Sequence, residues 1–436
     1  MILICRTKYI REYHTAANGS LIVVVSHGMS VSRADLSFLL VPYDSEPFDA
    51  IMEAFFTLVD IHIPPEGLHS SGDEAYTNVQ ASFCQLSWSI QHADPKRVPL
   101  FDDMKHRSFL CSDTMVKTDL HHIARQAEEY DAGTNKFAAT NKPKGLQVVP
   151  PTGIIFHESH SGSTLTSTIL AASEPEHVHV YSESPAATAA LLACDDGVPC
   201  EAGAHEKLVK DVFYLMGRMN RPTKPQNVFF KVNSVAVRSI DVFRNAFPTV
   251  PWVFLYRDSN EVMASQLHGH QESSLLLPDY NAPSCLRERH SRWQHPRLLK
   301  QLESVGRSLE SLTAEEYCAA HLASLASAAL EESAKPSSFW AKHMIINYDD
   351  LPFILWDRVI PELDYMSQPV SLRIDAMHDT SKYYYTAASS SQMGRLWQED
   401  RDIKRGWVTE AMKKASEVFL APVYSKLEAA RIRQVV

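Results

Sequence analysis

Small hydroxyl residues surround one glycine at Ser161-Gly162-Ser163-Thr164, directly after an apolar strand and where a helix is expected to begin. Such a turn aims several backbone N–H groups and the positive end of the helix dipole at one point. The pattern therefore predicts a cradle for a phosphate group or a similar anion. Because Gly-Lys-Ser and Gly-Lys-Thr do not occur in the sequence, a Walker A loop is not expected. The plain alternative is an ordinary turn in which a serine caps the helix.

A second candidate anion site begins where another apolar strand, Trp252–Tyr256, is followed by Arg257. Ser265 lies eight positions further along, on a similar face of the helix that follows. A guanidinium at the carboxyl end of a strand and a hydroxyl on the next helix can together clamp a phosphate dianion. The alternative is an arginine that pairs with Asp258 or Glu261 on a solvated helix face.

The elements that must position these residues form a regular series. From Gly153 onward, short apolar strands alternate with helical segments, which is typical of a parallel sheet with helices on both faces. We therefore predict an α/β fold, a three-layer α/β/α arrangement with a central parallel sheet, over residues 146–436. A turn-rich stretch between Asp131 and Gly153 marks the boundary. Residues 1–145 are predicted to form an N-terminal accessory region of mixed structure and unknown role.

The amino-acid composition argues against nucleic-acid-binding and membrane-spanning proteins. The 436 residues are 45% apolar and 22% charged, as in globular proteins that bury a core. Lys and Arg total 42 against 52 Asp and Glu, so the net charge of −10 provides no general attraction for nucleic acid. The longest apolar stretches are far shorter than the ~20 residues that span a bilayer. We therefore expect no nucleic-acid partner and no membrane span.

The cysteine pattern bears on the cellular compartment. The sequence has seven cysteines, an odd number, and none of them forms a Cys-x-x-Cys pair. This fits neither a disulfide scaffold nor a zinc site. We therefore expect reduced thiols, no structural metal and a cytoplasmic location.

The two anion-binding segments, in this order and each after a strand, resemble the 5′-phosphosulfate loop and the 3′-phosphate motif of sulfotransferases that use 3′-phosphoadenosine 5′-phosphosulfate (PAPS). The resemblance covers roughly residues 150–430. It implies a P-loop-like sulfotransferase fold, PAPS as sulfuryl donor, 3′-phosphoadenosine 5′-phosphate (PAP) as product, and no requirement for a metal. The residues implied to bind the nucleotide in these two segments are Ser161, Gly162, Ser163, Thr164, Arg257 and Ser265.

Three further segments are similar to parts of that family. Tyr348-Asp349-Asp350-Leu351 looks like an element whose tyrosine lies against the adenine, with a plain helix N-cap by Asp349 or Asp350 as the alternative. Lys404-Arg405-Gly406 looks like a basic loop that closes over the 3′-phosphate, although a solvated basic pair on a helix fits equally well. Lys231 ends a strand, as does a family lysine that reaches the transferred group.

Two positions depart from the family pattern. His160 replaces the basic residue that precedes Ser-Gly in the family loop, and histidine is charged only when protonated. In the Lys-x-His element of the cytosolic branch, the histidine is the catalytic base, but here Lys231-Val232-Asn233 places an amide at that position. Asn233 cannot accept a proton near neutral pH, so another base is needed.

Glu183 is our choice of general base. It follows the strand after the cradle helix, so it should face the same crevice at the carboxyl edge of the sheet. Its placement is similar to that of the catalytic glutamate in the tyrosylprotein and heparan N-sulfating branches. The alternative role is an acid that caps the helix from Pro185 onward. Four histidines are reserve bases: His157, His160, His268 and His270.

The resemblance implies in-line transfer of a sulfuryl group to a hydroxyl or amine, with Glu183, Lys231 and His160 as catalytic residues. The acidic composition favours a small molecule or neutral sugar over a polyanionic acceptor. Two other functions stay open: a nucleotide-binding pseudo-enzyme and a P-loop kinase-like phosphotransferase. The sequence leaves the acceptor and the oligomeric state undetermined.

Overall fold

A computed structural model describes most of the chain. The described residues are 11–15, 21–25, 47–71, 74–134, 146–195, 197, 199–201, 203–220, 226–268, 283–291, 293–336, 342–383 and 400–433. The reserve base His270 and much of the predicted boundary stretch therefore lie outside the described residues.

Twelve strands are present in these ranges. They are β1 (Arg11–Thr15), β2 (Leu21–Val25), β3 (Thr57–His62), β4 (Gln80–Cys84), β5 (Val116–Asp119), β6 (Gln147–Val148), β7 (Gly153–His157), β8 (Val178–Ser182), β9 (Arg218–Met219), β10 (Asn227–Lys231), β11 (Trp252–Tyr256) and β12 (His343–Asn347).

Seventeen α-helices connect or follow the strands within the same ranges. They are α1 (Pro47–Met52), α2 (Trp88–Ala93), α3 (Phe101–Arg107), α4 (Phe109–Asp113), α5 (Leu120–Asp131), α6 (Ser163–Ser173), α7 (Pro185–Leu192), α8 (Ala204–Met216), α9 (Ile240–Ala246), α10 (Ser259–His268), α11 (Pro296–Ser304), α12 (Ala314–Ala334), α13 (Ile360–Leu363), α14 (Ile374–Ser381), α15 (Arg401–Gly406), α16 (Glu410–Ala415) and α17 (Ala421–Arg433).

The central sheet is parallel and has five strands in the order β12-β11-β7-β10-β8. Lys231, at the end of β10, is paired in register with Ser182 of β8 and Ile155 of β7. The carboxyl ends of parallel strands meet at one edge of a sheet, so the residues after β7, β8, β10 and β11 gather there. The predicted α/β fold with a central parallel sheet is confirmed.

Both faces of this sheet are apolar and covered by helices. Successive side chains of a strand point to opposite faces, so strands that are apolar throughout place apolar side chains on both. Ile155 and Val253 enter one cluster, packed with α6, α14 and the π-helical turn Leu355–Val359. Phe156 and Phe254 enter a larger cluster on the other face, together with α7, α8, α12 and α17.

Residues 47–134 share the larger cluster. Their strands form a three-stranded antiparallel sheet, β3-β4-β5, which packs against α7 and α8. The buried Arg218 guanidinium joins the parts, since it donates to the carbonyls of Ile51 and Met52 and to the Asp131 carboxylate. This part of the chain is therefore packed into the same core as the sheet.

Helix α2 lies along β8, the end strand of the central sheet. The Gln91 side chain donates through Nε2 to the Val180 carbonyl and accepts through Oε1 from the Val180 N–H, both at 3.0 Å. One amide side chain thus satisfies both backbone groups of Val180 on the outer edge of the strand.

Three disulfides join six of the seven cysteines: Cys84–Cys111, Cys194–Cys200 and Cys285–Cys318. The expectation of reduced thiols is therefore wrong for these six. The paired cysteines are 27, 6 and 33 residues apart, so the pairs share no common spacing, and whether two cysteines come close enough to bond depends on the fold.

Among the helices in the described part of the chain, none combines the length and the apolar character that crossing a bilayer requires.

Candidate functional site

The anion loop, residues 159–164, turns the chain from β7 into α6. Three of its residues have left-handed backbone conformations: Ser159 at φ 76°, His160 at φ 50° and Gly162 at φ 84°. Gly162 is the N-cap of α6 and contributes no capping side chain. The expected alternative of a serine cap therefore does not hold, and the first N–H groups of the helix keep their capacity to bind an anion.

Gly162 is also required by close packing. A Cβ atom at this position would lie 2.5 Å from Leu351 Cδ1 and 3.0 Å from Tyr348 Cδ2. The turn that holds Tyr348 and Leu351 therefore lies directly against the anion loop. Both space and backbone conformation demand glycine here.

The hydroxyl groups of the loop have different surroundings. Ser161 is fully buried and its Oγ donates to the Leu255 carbonyl at 3.0 Å, so this side chain holds the loop on β11. Ser163 is also buried, at the start of α6. The Thr164 Oγ1 accepts a hydrogen bond from Lys231 Nζ at 3.1 Å. Of the predicted hydroxyls, Thr164 is the one tied to the predicted catalytic lysine.

Lys231 and Glu183 are brought together, as the parallel topology predicts. The Lys231 ammonium donates to Glu183 Oε1, and the Glu183 N–H donates to the Lys231 carbonyl at 2.6 Å. Glu183 has a left-handed backbone, φ 58°, and precedes Ser184, which is the N-cap of α7. Burial disfavours the charged carboxylate, but the Lys231 ammonium outweighs it and lowers the pKa of Glu183. A carboxylate beside an ammonium at this edge can accept a proton while the ammonium stabilises a negatively charged leaving group.

Two histidines flank this pair. His157, the last residue of β7, is buried; its Nε2 lies 3.0 Å from the Val232 carbonyl oxygen and 3.9 Å from Glu183 Oε1. The Ser159 N–H donates to His157 Nδ1 at 3.0 Å. His160 is exposed in the anion loop.

Asn233, which replaces the family's histidine, and the reserve base His268 both have structural contacts. The Asn233 side chain accepts from the Val235 N–H and caps the 3₁₀ turn Ser234–Ser239. The ring of His268, at the end of α10, stacks on Trp407 with 4.7 Å between ring centroids.

The second predicted anion site is a buried cluster of ion pairs. Arg257 is 2% exposed; its Nε donates to Glu261 Oε2 at 2.8 Å and one Nη donates to Asp400 Oδ1 at 2.9 Å. Lys404 Nζ lies 2.8 Å from Asp400 Oδ2. We call Arg257, Glu261, Asp400 and Lys404 the arginine cluster. The ion pair with Glu261 that the alternative expected is therefore present, but Arg257 is buried and does not belong to a solvated helix face.

Tyr348 lies between the two predicted anion sites. Its ring lies 4.0 Å from the Arg257 guanidinium carbon and also approaches Gly162. A nucleotide with phosphates at both sites would thus have an aromatic ring between them. Tyr348 begins a short 3₁₀ turn that is capped by the Asn347 side chain, so the expected alternative of an aspartate cap does not hold.

The predicted basic loop is a helix. Lys404, Arg405 and Gly406 form the last turn of α15, where Lys404 is buried and Arg405 Nε lies 3.2 Å from Glu261 Oε1. Burial and the Arg257 charge lower the pKa of Lys404. Ser265 is buried within α10. The loop expectation is wrong because residues 401–406 form a helix, as the alternative of a basic pair on a helix expected, although Lys404 is buried rather than solvated. Both cations lie beside Arg257 through the carboxylates that they share with it.

Two acidic residues that contact Arg257 were not predicted from the sequence. Asp400 stands 143 residues from Arg257, and only its i,i+4 spacing to Lys404 could have indicated an ion pair. Glu158 is fully buried; its carboxyl oxygens accept from the Arg257 N–H and the Tyr424 hydroxyl. Burial raises the pKa of Glu158 to about 8. Tyr424 belongs to α17, so its partner could not be identified by spacing.

Comparison with models of known protein families gives no match, and comparison with curated proteins gives none either. The function proposed below therefore depends on the residues and contacts described above.

Proposed function

We propose that this chain is a PAPS-dependent sulfotransferase that transfers a sulfuryl group to a hydroxyl or amine of a small molecule or sugar. The observation that carries the proposal is the meeting of Lys231 and Glu183 with the N-terminus of α6 at the carboxyl edge of the sheet. In this proposal, residues 146–436 form a P-loop-like catalytic domain, and residues 1–145 an accessory region.

The residues fit a bisphosphate nucleotide. The N–H groups at the start of α6, together with Lys231 and Thr164, would hold the 5′-phosphosulfate. Arg257 and Lys404 would hold the 3′-phosphate, together with Arg405, which shares Glu261 with Arg257, and with Ser265 of α10. Tyr348 lies between the two groups and offers a ring face for the nucleoside. PAPS, when bound, supplies an activated sulfuryl group and leaves as PAP.

Each catalytic side chain has a distinct task. Glu183 accepts the proton of the acceptor hydroxyl or amine through its carboxylate. Lys231 places its ammonium where negative charge develops on the leaving phosphate, as a preorganised donor. His160, exposed at the loop, adds a positive charge only when it is protonated. Proximity and electrostatics, rather than covalent catalysis, carry the rate enhancement.

The disulfides bear on where this enzyme would work. Disulfides persist in oxidising compartments and are rare in the cytosol. Three disulfides are present in this fold. We therefore favour an oxidising compartment over the cytoplasmic location expected from the cysteine count.

Calorimetric titration with PAP, and separately with ATP and magnesium, tests the proposal. We expect micromolar binding of PAP but not of ATP, and a loss of about 10- to 100-fold in Arg257→Ala, the range for hydrogen bonds to charged groups. Arg433→Ala, an exposed arginine of α17, is the matched control and should bind normally.

Turnover is then measured with radiolabelled PAPS and a panel of alcohols, phenols, amines and neutral sugars. Glu183→Gln should lose about 100-fold or more in kcat while it keeps its affinity for PAP. Binding of ATP with magnesium would favour the kinase-like alternative. PAP binding without transfer to any acceptor, unaltered in Glu183→Gln, would favour the pseudo-enzyme.

A further inference from the structure

His157 links the two halves of the proposed site. Its Nδ1 accepts the Ser159 N–H of the anion loop, and its Nε2 faces the Val232 carbonyl, next to Lys231. A backbone N–H can only donate and a carbonyl can only accept, so Nδ1 carries a lone pair and Nε2 carries the proton. These two contacts fix one neutral tautomer of the ring.

This tautomer removes His157 from the reserve bases. The Nδ1 lone pair is occupied by the Ser159 N–H, and Nε2 already bears a proton, so neither nitrogen can take one from an acceptor without breaking a contact. The side chain is also 4% exposed. Burial, followed by the Lys231 charge, lowers the pKa of His157 to about 3, which agrees with a ring that stays neutral.

We propose that His157 is a positioning residue for sulfuryl transfer, whose neutral ring holds the anion loop through Nδ1 and the backbone next to Lys231 through Nε2. This inference rests on the proposed function. The Nδ1 contact supports the left-handed backbone of Ser159, which begins the loop. The Nε2–H donates to the carbonyl of Val232, which directly follows β10, and so holds the backbone that carries Lys231. Nε2 also lies 3.9 Å from Glu183 Oε1, so the ring packs beside the Lys231–Glu183 pair.

The surrounding charges make the neutral form important. The charged or titratable groups around His157 are Lys231 on β10, Glu183 after β8 and His160 in the loop. An imidazolium here would need a proton on Nδ1, which would break the contact with Ser159. It would also compete with Lys231 for Glu183.

Two amide substitutions separate the two contacts. In His157→Asn, the side-chain carbonyl can take the place of Nδ1 but nothing reaches Val232. In His157→Gln, the amide N–H can take the place of Nε2–H but the acceptor for Ser159 is lost. Loss of one hydrogen bond corresponds to about 3- to 10-fold. We therefore expect Asn to lower kcat by that factor with little change in PAP affinity, and Gln to weaken PAP binding by that factor with a smaller loss of kcat.

His157→Phe, which loses both contacts, should show both effects. If Asn and Gln change both parameters equally, or change neither, the role of His157 is wrong. Failure of the wild-type chain to bind PAP would instead refute the proposed function.

A second measurement needs neither activity nor a variant. Long-range ¹H–¹⁵N spectra of histidine-labelled wild-type protein should contain a ring signal, absent in His157→Phe, that keeps the Nε2–H tautomer throughout a titration from pH 8 to about 5, whereas an ordinary histidine titrates near ~6.5. The His157→Phe spectrum assigns that signal. A His157 ring that carries Nδ1–H, or that protonates in this range, would overturn the inference.

Discussion

Asp400 should compete with the 3′-phosphate for the same cations, and its removal gives the sharpest test of the arginine cluster. Its carboxylate accepts from Arg257 at 2.9 Å and lies 2.8 Å from Lys404 Nζ. Hydrogen bonds from these cations outweigh burial and lower the pKa of Asp400, so the carboxylate is charged at neutral pH. A phosphate that takes these donors must displace the carboxylate.

The magnitude follows from these two contacts. Hydrogen bonds to charged groups contribute about 1.5–3 kcal/mol each in favourable cases. The Asp400 side chain is 19% exposed, and the displaced carboxylate regains water, so the net cost of displacement is about 1–2 kcal/mol. Asp400→Asn should therefore strengthen PAP binding by about 5- to 30-fold.

Calorimetry with PAP and with adenosine 5′-phosphate, which lacks the 3′-phosphate, measures this effect. The gain should be confined to PAP. Asp402→Asn, an exposed acid of the same helix, provides the matched control for net charge and should leave both affinities unchanged. Weaker or equal PAP binding by Asp400→Asn, or an equal gain for both nucleotides, would refute displacement and indicate that Asp400 orients the cations instead.

Three further substitutions test other contacts. Gly162→Ala should cost at least about 1 kcal/mol in denaturant unfolding, because alanine resists the left-handed backbone, and it should abolish PAP binding; a variant as stable as wild type would contradict this. Lys231→Met removes the charge that lowers the pKa of Glu183, so the acidic limb of its residual kcat/KM profile should move to higher pH; a limb at the wild-type position would exclude Glu183 as the base. Because the pKa of Glu158 is raised to about 8, the unfolded chain loses this proton first, and stability should fall between about pH 4.3 and 8 by up to ~1.4 kcal/mol per pH unit. Glu158→Gln should flatten that slope in unfolding experiments, and an unchanged slope would refute the assignment.

The fold was predictable where local pattern decides it. The apolar runs at Gly153–His157 and Trp252–Tyr256 form central strands, and the helix expected at Ser163 begins there. The proximity of Glu183 to Lys231 also followed from the sequence, because parallel strands bring their carboxyl ends together. The spacing of apolar residues along the chain and the parallel topology of the sheet were sufficient to predict these features.

Features that depend on distant contacts were not predictable. The Asp400–Arg257 pair and the Tyr424–Glu158 bond each join segments more than a hundred residues apart, so no spacing indicated them. The tautomer of His157 depends on a carbonyl 75 residues away. The disulfides span only 6 to 33 residues, but they were missed because the fold rather than a spacing motif brings the paired cysteines together.

The amide of Gln91 has a consequence for association between copies of the chain. An end strand normally offers unpaired N–H and C=O groups on which an extended segment of another molecule can build. At Val180 both groups are already bonded to one side chain of α2. A neighbouring chain would have to displace that amide, so this rim resists the intermolecular strand pairing through which α/β proteins aggregate.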